Sequence, residues 1–180
     1  MTVTRLDARR LLDEAEEFAG LLADTVAAGA SVGFLAPLAP AQAAAWWKER
    51  AAAVAGGRLA VWAAYEAGRL VGTVGLAFPD KPNSRHRAEL VKLMVHPDGR
   101  GRGHGRRLLD TAERAAAAAG ITLLHLDTET GSPAERLYSA AGWTRLGAIP
   151  GYAADPGGAL RPTTIYYKQL TSPAATAPTR

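Results

Sequence analysis

The sequence predicts an α/β sandwich, a mixed sheet with helices on its faces. Two observations lead there. The first is the order of patterns along the 180 residues: a short β-type run, two helical runs, a strand hairpin, a further strand, then helix, strand, helix and two closing strands. The second is Glu89–Asp110, where an apolar strand passes through a glycine-basic loop directly into a helix.

Thr2–Leu6 alternates as a short strand does. Asp7 then stands at an N-cap position. Leu11, Ala15, Phe18, Leu22 and Val26 recur at helical spacing, which predicts one amphipathic helix to about Ala28, stopped near Gly29. Gly29–Phe34 (GASVGF) is too glycine-rich for a helix and too apolar for an idle loop; it is either a packed connector or the lining of a pocket. A second helix spans Pro40 to Ala55 and is capped by Gly56-Gly57. Its adjacent Trp46 and Trp47 point in different directions, so packing on the core or a pocket wall is expected of them rather than nucleotide stacking.

Leu59–Tyr65 and Leu70–Phe78 are β-type runs joined by Glu66-Ala67-Gly68-Arg69, a hairpin signal. The next strand starts near Arg87, takes its apolar run from Leu90, Leu93, Met94 and Val95, and ends at Pro97, which has no amide for a ladder. A helix over Gly103–Ala119 follows, with Leu108, Leu109 and Ala112 on one side. Ile121–Asp127 reads as the next buried strand, and Pro133 suits the first turn of a helix ending at Ala141. Trp143–Ile149 and Thr163–Leu170 are the closing strands, with a turn-rich crossing over Gly151–Gly158. The tail Thr171–Arg180 is small, polar and proline-containing, so disorder is expected there, leaving residues 1–170 as one domain.

Hydrophobic residues make up 48% and charged residues 21%, an ordinary balance for a soluble globular chain. The absence of cysteine excludes disulfides, a thiolate nucleophile and a cysteine zinc site, and the four histidines lack the paired spacing of zinc ligands. No metal is expected. The first residues are acidic where a signal peptide needs an apolar core, and no run approaches a membrane span, so a cytoplasmic protein without a membrane partner is expected. His125 on its apolar strand reads as a hydrogen-bonded core residue, and no G-x-S-x-G elbow supports a serine hydrolase. Of the net charge of +4, the informative part is local: Arg100, Arg102, His104, Arg106 and Arg107 lie within one loop and helix start.

In that loop Gly99, Gly101, Gly103 and Gly105 alternate with basic or polar residues. Backbone amides freed by glycine, a helix N-terminus and arginines together make a phosphate-binding site. The nucleoside-triphosphate loop is excluded, because no Gly-Lys-Ser/Thr occurs; the dinucleotide fingerprint is excluded, because His104 or Arg106 stands where its last glycine belongs. What remains is Arg100-x-x-Gly103-x-Gly105, which resembles the R/Q-x-x-G-x-G/A pyrophosphate signature of the GNAT acetyltransferases. Downstream, Ala134-x-x-Leu137-Tyr138-x-x-x-Gly142-Trp143 resembles a second signature of the same superfamily, A-x-x-L-Y-x-x-x-G-F/Y/W.

The resemblance implies a GNAT fold: a mostly antiparallel sheet of about seven strands, splayed at its centre. It implies acetyl-CoA as cosubstrate, with the backbone of Met94 and Val95 pairing its pantetheine arm and the amides of Arg100, Gly101, Arg102, Gly103, His104, Gly105 and Arg106 holding its pyrophosphate. Ser132, beside the position where many relatives carry a cofactor-contacting asparagine, is a weaker substitute. Tyr138 would protonate the leaving thiolate. Within the superfamily the chain is most similar to the tabtoxin-resistance acetyltransferases, through Gly29–Phe34, Lys81-Pro82-Asn83, Arg87-Ala88-Glu89, Lys92–Val95, Leu123–Glu129 and Pro150–Tyr152 with Pro162-Thr163. That resemblance makes Glu89 and Asp127 the two candidates for the base; alternatively Glu89 pairs with Arg87 or Lys92 and Asp127 caps a turn. It implies a small amine acceptor, such as a toxin or antibiotic like tabtoxinine-β-lactam, and a role in resistance by detoxification. A protein N-terminus or hydroxyl acceptor is the alternative. Nucleic acid is not expected as a partner, since no aromatics interleave with the arginines. Pairing through exposed sheet edges, common among relatives, would make a homodimer.

Overall fold

The computed structural model describes residues 1–171; the expected disordered tail beyond Thr171 lies outside the described residues. β1 (Thr2–Leu6) leads to α1 (Ala8–Asp13) and α2 (Ala15–Ala27), where the sequence predicts one continuous helix. Asp7 caps α1, its carboxylate accepting the Arg10 amide at 2.8 Å. The break falls at Glu14 (φ −98, ψ 8). Its carboxylate accepts there from the Arg10 guanidinium and, across 51 residues, from the Tyr65 hydroxyl.

After α3 (Pro40–Ala55) come the hairpin β2 (Leu59–Glu66) and β3 (Arg69–Ala77), then β4 (Arg87–Val95), α4 (His104–Ala118), β5 (Leu123–Glu129), α5 (Pro133–Ala140), β6 (Thr144–Ala154) and β7 (Leu160–Gln169). The crossing expected over Gly151–Gly158 is shorter than the sequence suggests. β6 runs on through a bulge between Ile149 and Ala153, where Pro150 has no amide to give and Gly151 turns at φ 59. Pairing resumes at Ala153 with Arg161, and Pro162 of β7 lies beside that gap, where no ladder donor is required.

The strands form one mixed sheet in the order β1-β2-β3-β4-β5-β7-β6. Both faces are covered, which is why β2 reads as a continuous apolar run. Ala60, Trp62 and Ala64 pack beneath α4 and α5, whereas Val61 and Ala63 pack beneath α1, α2 and α3. All neighbouring pairs are antiparallel except β4 and β5, which run parallel and share three register pairs: Arg87–Leu123, Ala88–Leu124 and Glu89–His125. Beyond Glu89 the two strands part.

Candidate active site

The parting of β4 from β5 opens a groove of ≈ 660 Å³ at the C-terminal ends of both strands. One wall is β4 from Glu89 to Val95; the other is the end of β5 with the start of α5, and the loop before α4 closes one end. A crevice beyond the carboxyl ends of parallel strands is where open sheets bind ligands.

The loop is shaped by backbone conformation. Gly101 and Gly103 have φ of 77 and 78, and Gly103 is the N-cap of α4. Among the described residues, the amides from Gly101 to Arg106 have no backbone acceptor. Those of the first helical turn add the positive end of the α4 dipole. Gly105 serves packing instead: a Cβ there would lie 3.2 Å from Leu137 and 3.7 Å from Val95, so its absence lets α4 press against β4 and α5. The His104 ring is turned inward and buried, with neither nitrogen hydrogen-bonded among the described residues and Nε2 3.7 Å from Glu66.

Two arginines stand at the groove. Arg100 Nε donates to the Val95 carbonyl at 3.4 Å; Arg106 donates to Asp110 at 2.8 Å and to the Ala140 carbonyl at 3.3 Å. Arg102, expected with them, is directed away to Glu66 at 3.2 Å and does not line the groove. A row of open amides beside arginines suits a pyrophosphate, and the β4 edge left without a β5 partner beyond Glu89 suits an amide-bearing arm. The residues present therefore fit acetyl-CoA. Met94 and Val95, whose other edge pairs with β3, lie on that open edge.

Across the groove Tyr138 is 5% exposed, its ring tilted against Trp143 and Tyr166 at 5.8 and 6.2 Å. Burial, and then the charge of Asp127, push its ionisation above the ordinary tyrosine range, so the hydroxyl keeps its proton at neutral pH. Glu89 and Asp127 line the same groove. The alternative pairings of Glu89 are not made: Arg87 instead donates to His125 Nε2 at 2.9 Å, and the Lys92 ammonium donates to the Val32 carbonyl. Ser132 also lines the groove, but its hydroxyl is engaged as the N-cap of α5, accepting the Glu135 amide at 3.2 Å. Glu135 reaches back to the Gly131 amide at 2.5 Å. Ser132-x-x-Glu135 is thus a capping-box pattern, a local signal the sequence carried.

Sequence reasoning offered Gly29–Phe34 and Trp46 as pocket linings but gave no role to Lys92, which joins them. Lys92 takes φ 50 at a bulge where the register of β4 on β3 shifts. Its ammonium donates to the Val32 carbonyl at 2.9 Å and lies over the rings of Phe34 and Trp46. Gly29–Phe34 therefore does line the groove, from Gly29 to Gly33, while Trp46 and Trp47 both wall a second chamber, Trp47 being also part of the buried core. The one available hint was a lysine inside an apolar strand.

Among the described residues, no group of three or more His, Cys, Asp or Glu could hold a metal, and no helix is long and apolar enough to cross a membrane. Residues 33–143 match the Acetyltransferase (GNAT) family. The fold is similar to an N-acetyltransferase from Staphylococcus aureus Mu50 (16% identity, 95% of this chain and 100% of that one, TM-score 0.76). It is similar to a ribosomal-protein-alanine N-acetyltransferase from Brucella melitensis (19% identity, 94% and 100%, TM-score 0.74). It is also similar to yncA of Salmonella typhimurium, solved with its cofactor acetyl-CoA (22% identity, 97% and 96%, TM-score 0.75).

Proposed function

The chain belongs to the GNAT family and is an acetyl-CoA-dependent acetyltransferase, and from that premise we propose that it acetylates the amine of a small molecule. The acceptor class is an amino-acid-like toxin or antibiotic of the tabtoxinine-β-lactam kind, and the outcome is detoxification in the cytoplasm. The observation that carries the reading is the convergence of two carboxylates, Glu89 and Asp127, and the protonated Tyr138 hydroxyl on one groove.

Acetyl-CoA supplies an activated acetyl thioester when bound. The amides from Gly101 to Arg106 hold its pyrophosphate, with charge added by Arg100 and Arg106. A lysine-like acceptor amine, with a pKa of about 10.4, arrives protonated and cannot attack until it loses a proton. Glu89 or Asp127 takes that proton. As the N–C bond forms and the C–S bond breaks, Tyr138 gives its hydroxyl proton to the departing sulfur, and the second proton that the nitrogen sheds on becoming an amide restores the Tyr138 phenol. The burial that keeps Tyr138 neutral also disfavours a free thiolate beside it, so the proton crosses while the bond is breaking.

The test is a coupled CoA-release screen over small amines, including amino-acid β-lactams, with peptide N-termini as the competing class. CoA release with an amino-acid-like amine is expected. Turnover confined to peptide N-termini would sink the small-molecule reading.

A further inference from the structure

Between α3 and the face of β2, β3 and β4 lies a second chamber of ≈ 280 Å³, with Trp46, Trp47, Ala53, Val61 and Val91 among its walls. Val91 and Lys92 line both this chamber and the groove, so the bulge in β4 is the partition between them. Lys92 stands at the partition and, among the described residues, makes one hydrogen bond, to Val32, out of the three donors an ammonium carries. Its nitrogen is 5.3 Å from the centre of the Trp46 ring, and the Arg50 guanidinium lies over the same ring at 4.1 Å. Among the described residues, the only carboxylate bonded to either cation is Glu49, the exposed neighbour of Arg50.

Two cations sharing one indole repel each other, and an anion between them relieves that repulsion. Burial lowers the Lys92 pKa most; Arg50 lowers it further, against the opposing pull of Asp127 and Glu89. Charge is therefore divided along this stretch of β4. Two carboxylates face the groove, Lys92 stands at the partition, and Arg50 stands beyond it among the walls of a mainly apolar chamber.

That division complements a molecule bearing an ammonium, a carboxylate and an apolar group. We infer that the acceptor is an amino acid with an apolar side chain, its carboxylate received by Lys92 and Arg50, its side chain lodged in the chamber and its amine left toward Glu89 and Asp127. A plain amine brings no anion to the paired cations, and a cationic side chain is repelled by Arg50, Arg58 and Lys92, which all line the chamber. The reaction forms the N–C bond of an N-acetyl amide and breaks the thioester C–S bond. Of the two protons the ammonium loses, one passes to Glu89 or Asp127 and the other is balanced, through Tyr138, by the proton on the released coenzyme A thiol; the acceptor's carboxylate is unchanged. The inference rests on the acetyl-transfer reading of the groove and keeps its amino-acid-like acceptor, but puts an apolar side chain in place of the polar one of the tabtoxinine-β-lactam kind.

The test compares leucine and methionine with leucinamide and isoamylamine at saturating acetyl-CoA. Wild type, Lys92→Met and Arg50→Gln are used, with acetyl-CoA affinity by calorimetry and a melting curve for each. In the wild type, kcat/KM for leucine is expected to exceed that for leucinamide at least about 10-fold, the scale of one charge-assisted hydrogen bond. Lys92→Met erases that preference, mainly through KM, with acetyl-CoA affinity unchanged; Arg50→Gln reduces it in the same direction. Equal use of acid and amide by the wild type, or a preference surviving both variants, overturns the inference and leaves the transferase reading standing. So does acetyl-CoA binding without acetylation of any apolar amino acid. Failure of the wild type to bind acetyl-CoA overturns the transferase reading, and the inference with it. Should Lys92→Met fail to fold, the part-exposed Arg50→Gln decides.

Discussion

Under the proposed function, the coenzyme end of the groove offers backbone amides, from Gly101 to Arg106, whereas the acceptor end offers side chains, Glu89, Asp127 and Lys92, with Arg50 in the chamber behind. A backbone site depends on conformation and tolerates many side chains, provided the positive-φ glycines remain. A side-chain site depends on charge and can be re-specified one residue at a time. One fold can thus keep a fixed cosubstrate while its acceptor changes, because the two recognitions are written in different parts of the chain.

Tyr138 stands where the two ends meet, and its loss is expected to have the largest effect. Tyr138→Phe should lower kcat by about 10²–10⁴-fold, the ordinary worth of a positioned acid, with acetyl-CoA affinity unchanged in calorimetry. Turnover within about threefold of wild type would remove it from the proton path. Next comes the backbone end. Gly103→Val forces a β-branched residue to φ 78 at the N-cap of α4, at a strain of roughly 1–3 kcal/mol. Acetyl-CoA binding should weaken about tenfold or more, since roughly 1.4 kcal/mol is a factor of ten. Unchanged affinity would mean that the amides do not do the holding.

A smaller effect is expected at the support of Tyr138. Removing the Glu135 carboxylate as Glu135→Gln should cost about 1 kcal/mol, the scale of a helix cap, or roughly 2–4 °C in Tm at this chain length. Hydrogen bonding from the Gly131 amide holds that carboxyl below its ordinary pKa. The stabilisation is therefore present above the unfolded glutamate value of about 4.3 and is lost as pH falls through the lower folded value. Melting curves of wild type and variant should converge on acidification; a gap that persists at low pH would assign the effect to packing. The smallest effect is expected from Arg102→Ala, whose guanidinium is turned to Glu66. Acetyl-CoA affinity should change less than about threefold, as for an exposed ion pair. A larger loss would show that Arg102 leaves Glu66 when ligand arrives.

The two ends also differ in how well they can be read from sequence. Gly101 and Gly103 announce their conformation locally, since glycine at alternate positions before a helix restricts what the backbone can be doing. The acceptor end is assembled across distance. Lys92 meets the Val32 carbonyl 60 residues away, and no spacing rule brings Phe34, Trp46 and Lys92 together. The same cause broke the predicted first helix, because Glu14 answers to Tyr65 of β2. It also lengthened β6: Pro150 and Gly151 read locally as a turn, but β7 offers a partner that draws Ala153 and Ala154 back into the sheet.

The three rungs between β4 and β5 have a mechanical consequence. They divide the sheet into two plates, β1 to β4 and β5 to β6, joined along a short hinge line at the Arg87–Glu89 end. What spans the rest of the seam is a shared apolar core, in which Leu90 and Leu108 meet Leu124, Leu126 and Tyr138. Packed side chains can slide by fractions of an ångström without breaking a hydrogen bond, whereas a ladder cannot. The seam is therefore the compliant axis of the molecule, and relaxation-dispersion signals should gather on the residues flanking it and stay absent from the β2–β3 hairpin. A ligand that tightened the groove would need no lid, because the two plates have a spine about which to close.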